Sequence, residues 1–506
     1  MHRRTYNFIR SLGAGYFAIA VNIVYTVASV PLALHYLGKE QFGLWALAQQ
    51  IMGYLMLLDL GVSSAVSRFI ADRKDEVNGG EYGSILLSGG IVFVAQGILI
   101  GIAGFIFSFF APILFSVPQH LANDFTNILI IITALAGVSV ALRTLGAPLW
   151  AFQRMDVSYG LSSLTLLTSL AALWGGFHLG WGIYSFAVAG IPAAFLCPAI
   201  TLWVCWKGGF YPTALNWGRP NWSLFRKIFS FGHDVVWVSL GSQLVNASQI
   251  MILSRFAGLN VAATFAIGTK AFSMFQQFTG RIIDASLPIL TEMFVQGDLD
   301  KLKHRFIHVV SITAFLATLG AAILLAGNTA IISFWTSGSI FWSTPYDALL
   351  AALLLSNSSS RCFISVFVSM LGYRPVRHIY FLEGCVFIAL GIPATRFFGI
   401  AGILGASLIC HLLITLHLSF KEVNKVLKFS RGLIRPLVSA AVIVGSSVFF
   451  SLGPAKTLPL FNPFLLNVGS VCAAIVSAWL CILSDSLRHD LWGRARSLLN
   501  RQSPSR

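Results

Sequence analysis

"FAIGTKAFSMFQQFTGRIIDASLPIL", Phe265 to Leu290, is apolar enough to sit in lipid, yet it carries Lys270, Gln276, Gln277, Arg281 and Asp284. A charge near the middle of a bilayer costs from about 3 to more than 10 kcal/mol. At 100° per residue, Lys270, Gln277, Arg281 and Asp284 fall within about 60° of one another, and Gln276 lies off that stripe. One polar face on an otherwise apolar helix marks a membrane helix whose charges face protein or water rather than lipid. The rest of the chain agrees. Of 506 residues, 56% are hydrophobic and only 10% are charged, against about a quarter charged in a soluble domain. A water-soluble fold of this makeup would expose large apolar patches and aggregate. The chain is therefore read as an integral membrane protein.

The net charge of +16 does not point to nucleic acid, because the basic residues sit in short clusters between apolar runs. The seven cysteines are scattered and mostly lie inside apolar segments. No CxxC spacing occurs, so neither a disulfide framework nor a zinc site is indicated. No metal or cofactor is expected.

Runs of roughly 20 apolar residues, the length of a spanning helix, recur about fourteen times. They are too long and too uniformly apolar for barrel strands. The fold class is all-α, with about 14 transmembrane helices. With the N-terminus in the cytoplasm, the inner segments hold most of the 34 basic residues, while the outer ones hold only Lys39, Arg255, Arg396 and Lys456. By the positive-inside rule both termini are cytoplasmic and the number of spans is even. The first apolar run is too long for a signal-peptide core and stays on as helix 1. In the longest inter-span segment, Trp222, Phe225, Ile228 and Phe229 recur at helical spacing beside Arg226 and Lys227, as in an interfacial helix. The C-terminal tail, with Leu487, Leu491 and Trp492 on one face, reads the same way.

"SLGAGYF" at Ser11 and "SFGHDVV" at Ser230 open two stretches that repeat one order of polar spans and short turns. An even number of helices per half makes this a parallel repeat. The expected plan is two pseudo-symmetric six-helix bundles around a central cavity. Residues 1–215 form the N-terminal bundle, 216–232 an interfacial linker helix, and 233–420 the C-terminal bundle. Residues 421–484 add two transmembrane helices, and 485–506 form a cytoplasmic amphipathic tail.

Other spans carry polar faces too. Helix 1 has Asn22 and Tyr25, helix 7 has Gln243 and Asn246, and Gln49, Arg143 and Arg361 lie in other spans. Ser and Thr stripes are read as bonds between membrane helices. Arg281 and Asp284 are spaced to pair at i, i+3, whereas Lys270, Arg143 and Arg361 have no local partner. Asp59, in "LLDLG", is placed to meet Arg68 at the inner surface. Asp59, Asp284 and Glu383 are candidates for binding a coupling proton or sodium ion. The lone histidines, His411 among them, are too dispersed for a catalytic cluster.

The run "PLALHYLGKEQFGLWALAQQIMGYLMLLDLGVSSAVSRFIAD", Pro31 to Asp72, resembles the opening of bacterial polysaccharide-export flippases. These belong to the multidrug/oligosaccharidyl-lipid/polysaccharide (MOP) exporter superfamily. "SLPILTEMFVQGDLDKLKHRF", Ser286 to Phe306, resembles the family's Pro-containing exit from helix 8 and the basic helix after it. The resemblance implies no enzyme. It implies a flippase that moves an undecaprenyl-pyrophosphate-linked oligosaccharide across the bacterial cytoplasmic (inner) membrane, for O-antigen, capsule or exopolysaccharide. A polysaccharide polymerase and glycosyltransferases would be its partners, alongside membrane lipids. On that reading Arg143, Lys270, Arg281 and Arg361 meet the pyrophosphate, for which arginine is the best donor. Asn22, Tyr25, Gln49, Gln243, Asn246 and Gln277 meet the sugars. The alternatives are a peptidoglycan lipid-precursor flippase and a cation/drug antiporter of the same superfamily. A membrane polymerase, glycosyltransferase or synthase scaffold fits less well, because every outer loop is short.

Overall fold

The computed structural model describes all residues except 1, 60, 153, 373, 429–430, 453–462, 485–486 and 489–506. The expected amphipathic tail therefore lies, apart from Leu487 and Arg488, outside the described residues. Nine helical segments among the described residues are long and apolar enough to cross a membrane. Two shorter apolar helices, Leu433–Phe449 and Gly469–Cys481, follow them. The protein is an all-α, multi-pass membrane protein.

It divides into two compact units, residues 1–264 and 265–506. The first contains α1 (His2–Tyr36), α2 (Lys39–Leu55), α3 (Val62–Asp72), α4 (Glu81–Leu114), α5 (Gln119–Ala141), α6 (Ala147–Ala151) and α7 (Met155–His178). It continues through α8 (Ser185–Val188), α9 (Cys197–Lys207), α10 (Trp222–Asn246) and α11 (Ser248–Phe256) into α12 (Leu259–Gly268). The second contains α13 (Lys270–Val295), α14 (Leu299–Trp335), α15 (Thr344–Leu371), α16 (Arg374–Cys410), α17 (His417–Leu427), α18 (Arg431–Leu452) and α19 (Pro463–Cys481).

Small residues set the packing of the first unit. In lipid there is little hydrophobic drive between helices, so close backbone approach takes its place. A methyl group at Gly97 of α4 would lie 2.3 Å from the carbonyl oxygen of Gly137 on α5, and one at Gly104 would lie 2.4 Å from Thr133. The segment from Trp222 to Phe229 is helical, but it runs without a break into the span as α10. Ile228 on it is fully buried, against a cluster that includes Val66, Ile70 and Tyr82. Asn221 caps it by accepting from the Ser223 amide at 3.0 Å.

In the second unit, α18 and α19 pack on α14 through alanines, Ala314 and Ala322 meeting Ala440, Ala474 and Ala478. Gly399 (φ 55°, ψ −126°) breaks α16, where the sequence places the start of a new span. Asp298 caps α14, and the Lys301 ammonium hydrogen-bonded to it holds its carboxyl below the usual range. The stretch from Phe265 to Leu290 becomes the end of α12 and most of α13, separated by Thr269 alone. Its polar face keeps α13 out of the nine most apolar segments.

Candidate substrate-binding site

Two acid–arginine bridges, one in each unit, collect most of the charged residues singled out in the sequence. In the first unit the chain leaves α2 through a short 3₁₀ turn, Met56–Asp59, and leaves α5 through another, Arg143–Gly146. The turns bring Arg143 Nη1 to 3.0 Å from Asp59 Oδ2. Ser63 donates to both carboxylate oxygens of Asp59, at 3.1 and 2.9 Å, and accepts from Arg143 Nη1 at 3.0 Å. Gln96 of α4 donates to the Asp59 carbonyl at 2.7 Å. The bridge is not sealed: the Arg143 side chain is 38% exposed and that of Asp59 is 23% exposed.

The second unit builds its bridge between α13 and α15. Arg361 Nη2 lies 3.1 Å from Asp284 Oδ1 and 3.2 Å from Oδ2, and both side chains are 49% exposed. Ser358, one turn earlier on α15, donates to Thr279 of α13 at 3.0 Å and fixes the register of the two helices. Gly280 supplies the room. A methyl group there would lie 2.7 Å from Arg361 Nη1 and 2.8 Å from Cζ.

This corrects the sequence reading at one point, the partner of Asp284, and supplies distant partners for Asp59 and Arg361. Asp284 pairs with Arg361 across 77 residues, not with Arg281 at i, i+3. Asp59 holds Arg143, a partner the local sequence did not offer. Arg143 and Arg361 are therefore partnered cations. Lys270, half-buried at the start of α13, and Arg281, exposed on it, have no acidic partner among the described residues. Gln277 is exposed on the same helix.

The neutral candidates of the first unit form a looser group. Asn22 is exposed on α1, with its Oδ1 accepting from Thr26 at 3.3 Å, and Tyr25 is half-buried beside it. Tyr54 of α2 donates to the Gln243 carbonyl at 3.1 Å and also hydrogen-bonds Ser248. That pins α2 to α10 and α11. The Gln243 amide faces Gly53, four residues after the exposed Gln49 and so on the same face of α2. Asn246 is exposed, but its amide is spent on Ser242 of its own helix at 3.0 Å.

Glu383 is 2% exposed and lies within a hydrogen-bonded chain. Its Oε1 is 2.8 Å from His411 Nδ1, and Thr415 donates to its Oε2. His411 Nε2 is 2.8 Å from Ser360 Oγ, next to Arg361. His411 opens a π-helical turn, His411–Leu416, a distortion common at functional sites. Sequence reading missed this role of His411, because the Gly399 break lies between it and Glu383. A second buried carboxylate, Asp347, accepts from Asn328 (2.6 Å), Thr329 (2.7 Å) and Trp342 (2.7 Å) and ties α14 to α15. With both carboxylate oxygens hydrogen-bonded, this group reads as a structural knot.

Comparison with known proteins bears on the fold and the family. A lipid II flippase, MurJ, in its inward closed conformation matches with a TM-score of 0.64 at 14% identity, over 93% of this chain and 98% of that one. An inward-facing multidrug resistance MATE transporter of the MOP superfamily matches with a TM-score of 0.63 at 11% identity, over 80% and 94%. At these identities the likeness is one of fold. In sequence, the chain is 21% identical over 453 residues to the uncharacterized membrane protein EpsK of Bacillus subtilis (strain 168), covering 86% of this chain and 87% of that one. The family described as polysaccharide biosynthesis protein matches residues 13–294. That match spans more than half of the chain, including the run from Pro31 to Asp72. The chain belongs to the polysaccharide biosynthesis protein family, and its fold is that of the MOP superfamily of membrane transporters.

Proposed function

We propose that the protein is a flippase carrying an undecaprenyl-pyrophosphate-linked oligosaccharide from the inner to the outer leaflet of the bacterial cytoplasmic membrane. It works by alternating access of two six-helix bundles, within a chain of about fourteen spans. Both termini are cytoplasmic, and the polysaccharide polymerase and glycosyltransferases act on either side of its step.

The recurrence of one device supports this reading. In the proposed order of spans, each half contributes an acid from its second span and an arginine from its fourth: Asp59 with Arg143, and Asp284 with Arg361. An ion pair open to solvent is worth roughly 0–1 kcal/mol. A hydrogen bond from arginine to a charged group is worth about 1.5–3 kcal/mol, and phosphate can take two in parallel. At either bridge a phosphate can thus displace the carboxylate from its arginine at small cost. When the headgroup leaves, each carboxylate recloses on its arginine and opposes rebinding. Lys270 and Arg281 supply cations that need not be released first. Gln277, Asn22, Tyr25, Gln49 and Gln243 are left for the sugar hydroxyls, Asn246 joins them on releasing Ser242, and the lipid tail stays in the bilayer.

Drive comes from two sources. Outward movement of one negative charge gains about 2.3 kcal/mol per 100 mV of membrane potential. Asp59 and Asp284 serve as counter-ions in this scheme. Glu383, with His411, is the group placed to bind a coupling proton. A cation/drug antiporter is less well supported, since Asp59, Asp284 and Glu383 all hold hydrogen-bonding partners. A peptidoglycan precursor would present the same diphosphate, but the family match favours a polysaccharide unit.

The test is genetic. Deleting the gene should strand the lipid-linked oligosaccharide on the cytoplasmic face, and the wild-type gene should restore export. Unchanged surface polysaccharide in the deletion strain, with no second exporter present, would refute the reading.

A further inference from the structure

The first unit has a second feature with the makings of a site, independent of the transported substrate. Beside α4 lies a cavity of about 530 Å³, lined by Leu87, Val94 and Ile98 on one side and by Leu145, Tyr211 and Trp217 on the other. Val94 and Ile98 are 47% and 58% exposed, so the cavity opens sideways along the spanning helix. Apolar cavities stay dry, because water finds no polar partners in them. In a bilayer this one fills with hydrocarbon. A groove of this size takes part of a hydrocarbon chain lying along α4. That suits an acyl chain.

The cap over the cavity is built rather than loose. Tyr82 donates to the Phe210 carbonyl at 2.9 Å, and Tyr211 to the Leu145 carbonyl at 2.7 Å. The Thr213 amide donates to Asn78 at 3.0 Å, and the Arg219 amide to Ser84 Oγ at 3.1 Å. Gly83 lets the loop sit on α4, where a methyl group would come within 2.4 Å of the Trp217 carbonyl oxygen. A preformed groove binds without the entropy of ordering a loop.

Charge gives the groove a direction. The Arg219 amide is anchored one turn before Leu87, and its exposed guanidinium has no partner among the described residues. Arg226 is likewise exposed on α10. By contrast Arg73, across the α4 N-terminus, is neutralised by Glu81 at 3.0 Å. Its amide seats Arg219 at the Leu87 end of the groove, and an unpaired arginine there suits a phosphodiester. We propose that this groove binds one anionic glycerophospholipid, with an acyl chain between α4 and Trp217 and its phosphate on Arg219.

The test uses the full chain in phosphatidylcholine nanodiscs with phosphatidylglycerol that carries a photoactivatable group on its acyl chain. Labelling should map to residues 86–98 and 211–217, and unlabelled phosphatidylglycerol should compete better than phosphatidylcholine, whose choline cation offsets the charge that its phosphate offers Arg219. Val94→Trp should abolish that labelling by filling the groove. Arg219→Ala, an exposed change that leaves the fold intact, should keep the labelling but lose the headgroup preference. Equal competition by phosphatidylcholine in the wild type, or labelling spread evenly over the lipid-facing helices, would overturn the proposal. Stronger competition by a polyprenyl phosphate would also overturn it, by assigning the groove to the carrier's tail.

Discussion

The guanidinium of Arg361 lies across Gly280, so close that a methyl group on Gly280 would come within 2.7 Å of Nη1. The crowded atoms are the far end of a flexible side chain, so relief comes from moving Arg361 rather than a helix. Gly280→Ala should therefore leave the fold intact and raise helix stability by up to about 1 kcal/mol. It should also draw Arg361 off Asp284. The expected pair of results is an unchanged or raised melting temperature together with reduced oligosaccharide export. Normal export would mean that the seat of Arg361 is irrelevant to transport.

Neutralising the counter-ions separates binding from release. Asp59→Asn and Asp284→Asn remove half-exposed bridges and should each cost less than about 1 kcal/mol of stability. Freed of their carboxylates, Arg143 and Arg361 should hold a polyprenyl-pyrophosphate more tightly and turn over more slowly. Equilibrium binding of a short-chain analogue to the purified variants measures this. Weakened binding would show that the carboxylates serve some other purpose.

The Glu383 chain makes a different demand. Glu383→Ala leaves His411 and Thr415 without their acceptor inside the second unit. A buried polar group left unpaired costs about 1–3 kcal/mol, so the variant should melt measurably lower than wild type. Glu383→Gln keeps an acceptor and should recover much of that loss while losing the proton-binding carboxylate. Equal melting of Glu383→Ala and wild type would place the chain outside the folded core.

Packing of α4 on α5 should tolerate no side chain at its closest point. Gly97→Leu would drive atoms into the Gly137 carbonyl and should destabilise by at least the 1–3 kcal/mol usual for overpacking. Loss of monodisperse protein in detergent is the expected readout.

Much of the fold was legible because bilayer physics acts on local sequence. Twenty apolar residues make a span, and the stripe of α13 follows from 100° per residue. The bridges were not legible. Arg143 lies 84 residues from Asp59, and Arg361 lies 77 from Asp284. Only tertiary packing brings such pairs together, and local spacing suggested the wrong partner, Arg281. Gly280 carried no signal until Arg361 was seen across it. His411 read as a lone histidine because nothing in sequence ties it to Glu383.

The proposed function requires that Arg143 and Arg361 each meet the diphosphate as it crosses the membrane. Its most direct measurement is translocation of a lipid-linked oligosaccharide in proteoliposomes, comparing wild type with Arg143→Ala, Arg361→Ala and the double variant. The expected result is movement by the wild type, strong loss of movement in each single variant and no movement in the double, with all four proteins folded. Undiminished translocation by the folded double variant would contradict it.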